Sequence, residues 1–126
     1  MLDILEWPEI TDRIQKEDNM NAIHFLDRKG PGGGYHAYDI RNARTGKILG
    51  YIEFQNGPRN DPESVQGVLD TDLLEIVRHR FNAFCNGPMK DDNTYKAMLC
   101  VEGALGFLAR RTEDRKKRGV LGTMER

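Results

Sequence analysis

The hydrophobic positions of the chain change their period once, near residue 70. Between residues 21 and 55, short apolar runs are separated by glycine-rich or polar turns, which is typical of β-strands. This pattern predicts three strands, at Ala22–Leu26, Tyr35–Ile40 and Ile48–Phe54. Three strands of this length form a small antiparallel sheet, and such a sheet needs a partner layer for its apolar face.

From residue 70 onward, the apolar positions recur every three or four residues, as they do on one face of a helix. A first predicted helix is capped by Asp70 or Thr71 and ends at Gly87-Pro88. A second begins near Asp91–Asn93 and runs to about Arg118. The short connection predicts an αα-hairpin. We therefore expect an α+β fold, with a small N-terminal antiparallel β-sheet followed by a C-terminal αα-hairpin.

At 126 residues, the chain has the length of a single domain. We expect three parts within it: an acidic segment at residues 1–20, a β portion with a long loop at 21–69, and the hairpin with a basic tail at 70–126. In the first part, Pro8 can open a short helix over Glu9–Lys16, because a missing N–H costs nothing in a first turn.

Gly103 and Gly106 lie inside the second predicted helix. Each costs about 1 kcal/mol relative to alanine in a helix interior. Close approach of another backbone would compensate for this cost. The two glycines therefore favour tight packing, within the hairpin or against another subunit, over a kink.

The formal net charge of −1 argues against a protein that coats nucleic acid or adheres to membranes through bulk charge. The two ends nevertheless differ: residues 1–20 hold six acids and two bases, whereas residues 110–126 hold seven bases and three acids. The basic end is either a solvated face or a surface that meets an anion or another subunit.

The cysteines and the lack of targeting segments indicate a compartment. Cys85 and Cys100 form no CxxC pair, and no secretion signal is recognisable. No apolar run approaches the ~20 residues of a membrane span, so we expect a reduced, cytosolic protein.

The densest candidate chemistry is the basic run Arg110–Arg118. On a helix, Arg111, Arg115 and Arg118 fall three or four positions apart and share a face. Guanidinium groups at this spacing can bind a phosphate or pyrophosphate bidentately. Asp114 lies four positions after Arg110 and could pair with it. The same run could instead be a solvated, salt-bridged helix end, where bases complement the helix dipole.

Two other side chains are candidates for ligand contact. Phe84, at the end of the first predicted helix, could stack on a purine or be the last core residue of that helix. Arg59 lies on a constrained loop, where it could contact an anion or be an ordinary surface arginine.

His24 and His36 lie on neighbouring predicted strands and could face one another, without the spacing of a metal site. No catalytic motif is present, so we predict a binding protein with no metal and no cofactor.

The C-terminal half also carries a specific signature. Arg110-Arg111-Thr112-Glu113-Asp114-Arg115 is followed by Arg118-Gly119-Val120-Leu121-Gly122-Thr123 and preceded by Phe84-Cys85-Asn86-Gly87. It resembles a phage hairpin domain with the signature RRTxDR–RGVxGT. Upstream, Gly32-Gly33 and Phe54–Pro58 resemble the β portion of the Thoeris anti-defense family of the first type. The resemblance covers about residues 20–123, and a sister branch of anti-CBASS sponges has a similar hairpin.

Members of that family are phage proteins that bind cyclic ADP-ribose isomers. The resemblance therefore implies a sponge that sequesters glycocyclic ADP-ribose without cleaving it, in the cytoplasm of the infected bacterial host, and so blocks the Thoeris effector. It implies a homo-oligomer, either a dimer or a hexamer built as a trimer of dimers, with the ligand pocket between protomers. Neither a nucleic-acid polymer nor a membrane is implied as a partner. The alternative is an enzyme that degrades a cyclic nucleotide signal.

The resemblance also assigns roles by position. The ligand-binding residues that it implies are Arg59, Phe84, Asn93, Thr94, Arg111 and Arg115. The aromatic contact matches Phe84, and the phosphate contacts match the three arginines. Thr94 stands where relatives often have asparagine, with Asn93 beside it. A second site, for the cyclic oligonucleotides of CBASS, would draw on Arg118, Gly119 and Thr123.

Overall fold

The computed structural model describes residues 7–15 and 20–120. In this part of the chain the strands are β1 (Asn21–Phe25), β2 (Ala37–Asn42) and β3 (Ile48–Glu53), and the helices are α1 (Asp70–Cys85) and α2 (Asp92–Lys117). The predicted α+β order, an antiparallel sheet followed by two helices, is confirmed. The contacts divide the chain into two compact units, Met1–Gly67 and Val68–Arg126. The prediction of a single domain stays a prediction.

The first unit is built on an antiparallel sheet with strand order β1-β2-β3. The side chains of a strand alternate between its two faces. On one face, the ring centroids of Tyr38 and Phe54 lie 5.8 Å apart, edge to face. On the other, His24 of β1 stands opposite Asp39 of β2 in the strand register. The sheet therefore has one aromatic face and one face with charged side chains.

The segment before β1 extends the sheet instead of forming a helix. The N–H of Ile10 donates to the carbonyl of Ile23 at 2.8 Å, and the N–H of Phe25 donates to the carbonyl of Pro8 at 3.1 Å. The predicted helix over Glu9–Lys16 is wrong for residues 9–15, and Lys16 lies outside the described residues. Isolated helices of two turns are marginal, whereas the open edge of β1 offers backbone partners directly.

The long loop after β3 is organised by its own hydrogen bonds. Asn56 and Val65 exchange backbone hydrogen bonds of 3.0 and 2.9 Å, which bring the two sides of the loop together. The side chain of Gln55 accepts a hydrogen bond from the N–H of Gly67 at 3.1 Å. The loop is therefore a closed structure that returns to the end of the strand from which it leaves.

The second unit consists of α1 and α2 with a short turn between them. The N-cap residue of α1 is Leu69, whose N–H donates to the Asp72 carboxylate at 2.8 Å, so the predicted caps Asp70 and Thr71 are wrong. Both residues lie inside the first turn instead, where a carboxylate suits the helix dipole. The α2 cap is as predicted: the carboxylate of Asp91 accepts from the N–H groups of Asn93 and Thr94.

The two helices contact each other along part of their surfaces. Arg78 of α1 and Glu102 of α2 form an ion pair with a distance of 2.8 Å between Nε and Oε2, and Met98 is buried. Ile76, Leu99 and Phe107 remain largely exposed, because two helices alone cover only one stripe of each other. Among the described helices, neither combines the length and the apolarity that a membrane crossing needs.

Gly103 and Gly106 do not meet a close neighbour within the described structure. No described atom beyond the adjacent helix backbone lies within 4 Å of the position where a β-carbon of either residue would stand. The expectation that tight packing inside the hairpin accounts for these glycines is therefore wrong. Packing against another subunit stays a prediction.

Candidate functional site

The last two turns of α2 carry the candidate site. Arg111, Asp114, Arg115 and Arg118 line a pocket of about 720 Å³. Their spacing of three to four residues places them on one side of the helix. The sequence prediction that the three arginines share a face is therefore confirmed. Three guanidinium groups and one carboxylate make the pocket electropositive, as an anion-binding surface requires.

Arg115 is the most constrained side chain of this pocket. It is 7% exposed, and its Nη2 donates to the carbonyl of Val120 at 3.1 Å. The N–H of Val120 in turn donates to the carbonyl of Arg115 at 3.0 Å. A buried charge needs hydrogen-bond partners, and these contacts hold the guanidinium in a defined orientation. The Arg115 side chain that lines the pocket therefore has a fixed conformation before any ligand binds.

Arg118 and Asp114 form an ion pair at 3.1 Å between Nε and Oδ2. The predicted pairing of Asp114 with Arg110 is wrong, because the Cζ atom of Arg110 lies over the ring of Phe107 instead, 5.0 Å from its centroid. Both partners stand four positions from Asp114. An acid that precedes a base along a helix has the better orientation for pairing, which favours Arg118.

Arg111 is the least committed arginine of the pocket. It is exposed, and within residues 7–15 and 20–120 no carboxylate oxygen lies within 4 Å of its nitrogens. Its fork of N–H donors is therefore available to an incoming anion. Within the described part of the chain, an anion can therefore contact the Arg111 guanidinium without displacing a carboxylate.

The other predicted contacts of the second unit lie at the opposite end of α2. Phe84 is in the last turn of α1 and is 38% exposed, so it does not have the burial of a core residue. Asn93 and Thr94 form the first turn of α2. With a rise of 1.5 Å per residue, Thr94 and Arg111 are separated by about 25 Å along the helix axis. One chain therefore does not bring Phe84, Asn93 and Thr94 together with Arg111 and Arg115.

Arg59 belongs to the first unit and lies on the loop after β3. It is exposed, and its Nη2 donates to the carbonyl of Gly67 at 3.3 Å. Its own carbonyl accepts from the side chain of Gln66 at 3.1 Å. These contacts give the residue a fixed backbone position with a charged group at the surface.

The predicted second site is only partly described. Arg118 lines the pocket on α2, and Gly119 has a φ of +73°, the left-handed conformation that ends a helix. Thr123 lies outside the described residues. The role of these three residues stays a prediction.

No family model matches the chain. A curated relative from Bacillus phage SBSphiJ7, named Thoeris anti-defense 1, is 33% identical to it over 104 residues. The matched region makes up 82% of this chain and 68% of the relative. The chain belongs to the Thoeris anti-defense 1 family. The resemblance inferred from the hairpin signature is thereby confirmed.

The Thoeris anti-defense 1 signature corresponds to contacts at the end of α2. Its first half supplies Arg111, Asp114 and Arg115, and its second half begins with Arg118 and includes Val120. The bond from Arg115 to Val120 joins the two halves across the end of α2. The signature of this family member therefore encodes a helix terminus whose arginines line one open pocket.

His24 and His36 of this family member each lie near a carboxylate and do not face one another as expected. The Nδ1 atom of His24 lies 3.7 Å from Asp39, and that of His36 lies 3.8 Å from Asp27. The expectation failed because β2 begins at Ala37, so His36 precedes the strand and Asp39 takes the position across from His24. Over the described residues, no group of three or more metal-ligating side chains is found.

Sequence reasoning missed one contact at the aromatic candidate. The Cζ atom of Arg80 lies 5.0 Å from the centroid of the Phe84 ring. The signal was available, since Arg80 and Phe84 are four positions apart on a predicted helix and therefore share a face.

Proposed function

We propose that this Thoeris anti-defense 1 family member is a phage sponge. It binds a cyclic ADP-ribose isomer of the glycocyclic ADP-ribose type and sequesters it unaltered, which blocks activation of the Thoeris effector in the infected host cell. The observation that carries the proposal is the arginine pocket of about 720 Å³ at the end of α2. The name of the phage relative, Thoeris anti-defense 1, supports the biological context.

The chemistry of the pocket suits a pyrophosphate. Arg111 offers an uncommitted guanidinium fork, and charge-assisted hydrogen bonds to phosphate are among the stronger polar contacts in proteins. Arg115 is held in place by Val120 before any ligand arrives, which reduces the entropy lost on binding. A sponge for a trace signal needs nanomolar affinity, or about −12 kcal/mol. Several such contacts around a compact ligand can supply it, and no bond of the ligand has to break.

The complete site requires a second copy of the chain. Thr94 lies about 25 Å along α2 from Arg111, so a ligand of nucleotide size cannot contact both ends of this helix within one protomer. We propose that α1 and α2 form the helical hairpin expected from the sequence. The exposed Ile76, Leu99 and Phe107 and the uncovered faces of Gly103 and Gly106 supply the surface for association. A dimer is the smallest assembly that joins the two ends.

The deciding experiment measures the fate of the ligand. The protein is mixed with glycocyclic ADP-ribose, free ligand is separated by filtration, and the retained fraction is heat-denatured and analysed by mass spectrometry. We expect depletion of free ligand and quantitative recovery of the intact compound after heating. The Arg111→Ala variant, treated in parallel, should leave most of the ligand free. Recovery of a cleaved product would favour the enzyme alternative.

A further inference from the structure

An arginine stacks on the aromatic candidate of α1. The guanidinium carbon of Arg80 lies 5.0 Å from the centroid of the Phe84 ring, within the range of a cation–π contact. The spacing of four residues places both side chains on the same helix face, one turn apart. Arg80 is exposed and Phe84 is 38% exposed, so solvent reaches the pair.

The charge of Arg80 is not neutralised by a neighbouring acid in the described parts of the chain. Arg78, two positions earlier, is engaged by Glu102 at 2.8 Å. Among residues 7–15 and 20–120, no carboxylate oxygen lies within 4 Å of the Arg80 nitrogens, and the guanidinium contacts the Phe84 ring. A cation–π contact uses the charge of the guanidinium and no hydrogen-bond acceptor, so its N–H donors remain available. The pair thus presents a π surface and an unneutralised set of donors side by side.

We propose that Arg80 and Phe84 act as one ligand-binding unit. Phe84 stacks on the base, and Arg80 donates hydrogen bonds to a phosphate oxygen of the same ligand. A nucleotide carries a flat base and a charged phosphate on one small molecule, which matches a π face with a cation beside it. This assignment rests on the proposed function and adds Arg80 to the residues that contact the ligand.

A second arginine–phenylalanine stack provides an internal control. Arg110 lies over Phe107 on α2 with the same distance of 5.0 Å. Its surroundings differ, because Arg110 lines a pocket of about 340 Å³ together with Glu113, Asp114 and Lys117. The two carboxylates balance the charges of Arg110 and Lys117, so this pocket has no net positive charge to attract a phosphate. Removing Arg110 therefore deletes the same charge and the same type of stack at a position where we expect no ligand contact.

The test compares Arg80→Gln, Arg110→Gln and Phe84→Leu with the unmodified protein, using glycocyclic ADP-ribose as the probe. Glutamine keeps a helix propensity close to that of arginine, so the fold should survive. Calorimetric Kd values are measured at low and at high salt. We expect Arg80→Gln to raise Kd at least about tenfold at low salt, or about 1.4 kcal/mol, and to reduce its salt dependence. Phe84→Leu should raise Kd without changing the salt dependence, and Arg110→Gln should change neither.

The outcomes separate this inference from the proposed function. If Arg80→Gln binds like the unmodified protein while Arg111→Ala loses affinity, Arg80 is not a ligand contact and the sponge function stands. If Arg80→Gln and Arg110→Gln weaken binding equally, the effect is one of general charge and the assignment is wrong. An equal loss of affinity at all salt concentrations would show a structural role for Arg80. If the unmodified protein does not bind the probe, both proposals fail.

Discussion

The Nε atom of Arg41 lies 2.9 and 3.1 Å from the two carboxylate oxygens of Asp39, and both side chains are buried. The two residues are two positions apart on β2 and therefore share a sheet face. His24 stands across from Asp39 on β1, with its Nδ1 atom 3.7 Å from the carboxylate. Since Asp39 is 1% exposed, hydrogen bonds from Arg41 take the place of water around its carboxylate.

We predict that Asp39→Asn lowers the free energy of unfolding by about 3–5 kcal/mol, because it removes the buried carboxylate to which the Nε of Arg41 donates and so breaks a buried ion pair. Urea denaturation followed by circular dichroism measures the change. Asp92→Asn serves as the control, since Asp92 forms an exposed pair with Lys96 and should cost less than ~1 kcal/mol. If Asp39→Asn does not fold, the double change Asp39→Leu and Arg41→Met should restore folding. A loss as small as that of Asp92→Asn would contradict the prediction.

Arg111→Ala and Arg115→Ala should each weaken ligand binding by more than ~1.5 kcal/mol, as expected for hydrogen bonds between charged groups. Their effects on stability should differ. Arg111 is exposed, so its removal should leave Tm unchanged, whereas Arg115→Ala deprives Val120 of a donor and should lower Tm. Titration calorimetry and thermal melts provide the two readouts. Lys117→Ala, on the neighbouring surface, is the matched control; equal binding by all three variants would exclude the arginine pocket as the site.

Gly103→Ala and Gly106→Ala test whether this face of α2 meets another copy. In an uncovered helix, alanine should stabilise by about 1 kcal/mol, since both positions have open space around them in the described chain. We predict that the substitutions nevertheless raise the dissociation constant of the assembly, because the added methyl groups separate the packed helices. Sedimentation velocity over a concentration series measures this constant, with Lys116→Ala as control. Unchanged association, together with higher stability, would remove the two glycines from the interface.

The pKa of Tyr51, on the edge strand β3, should depend on its hydrogen bond to Glu53. Its hydroxyl donates to the Glu53 carboxylate at 2.8 Å, and this hydrogen bond is the main reason why the pKa of Tyr51 is raised above 10.0. A raised pKa means that the neutral phenol is favoured in the folded state. The contribution to stability is therefore present below pH 10 and is lost as the pH rises through the folded-state pKa.

Glu53→Gln should move the pKa of Tyr51 back toward 10.0. Ultraviolet difference titration against Tyr51→Phe isolates this residue from the other tyrosines. An unshifted titration curve in Glu53→Gln would mean that the hydrogen bond is not the cause.

Much of the secondary structure followed from local signals. The three strands and both helices lie within a few residues of their predicted positions, because apolar periodicity and turn residues act over short stretches of backbone. Asp91 was recognisable as a cap for the same reason, since its carboxylate bonds N–H groups two and three positions away. The segment over Glu9–Gln15 failed because its hydrogen-bond partners lie on β1, which no local pattern reveals.

The candidate site likewise has some features that local sequence signals predict and others that depend on the folded structure. The sequence by itself determined that Arg111, Arg115 and Arg118 share a helix face, because this depends on their spacing alone, and its C-terminal signature carried the resemblance to the anti-defense family. Only the tertiary structure decided that Arg115 is buried against Val120, that Asp114 takes Arg118 as its partner, and that Arg80 stacks on Phe84. Spacing allows several partners for each charged side chain. Packing and hydrogen-bond geometry select one of them, and these arise only when the chain has folded.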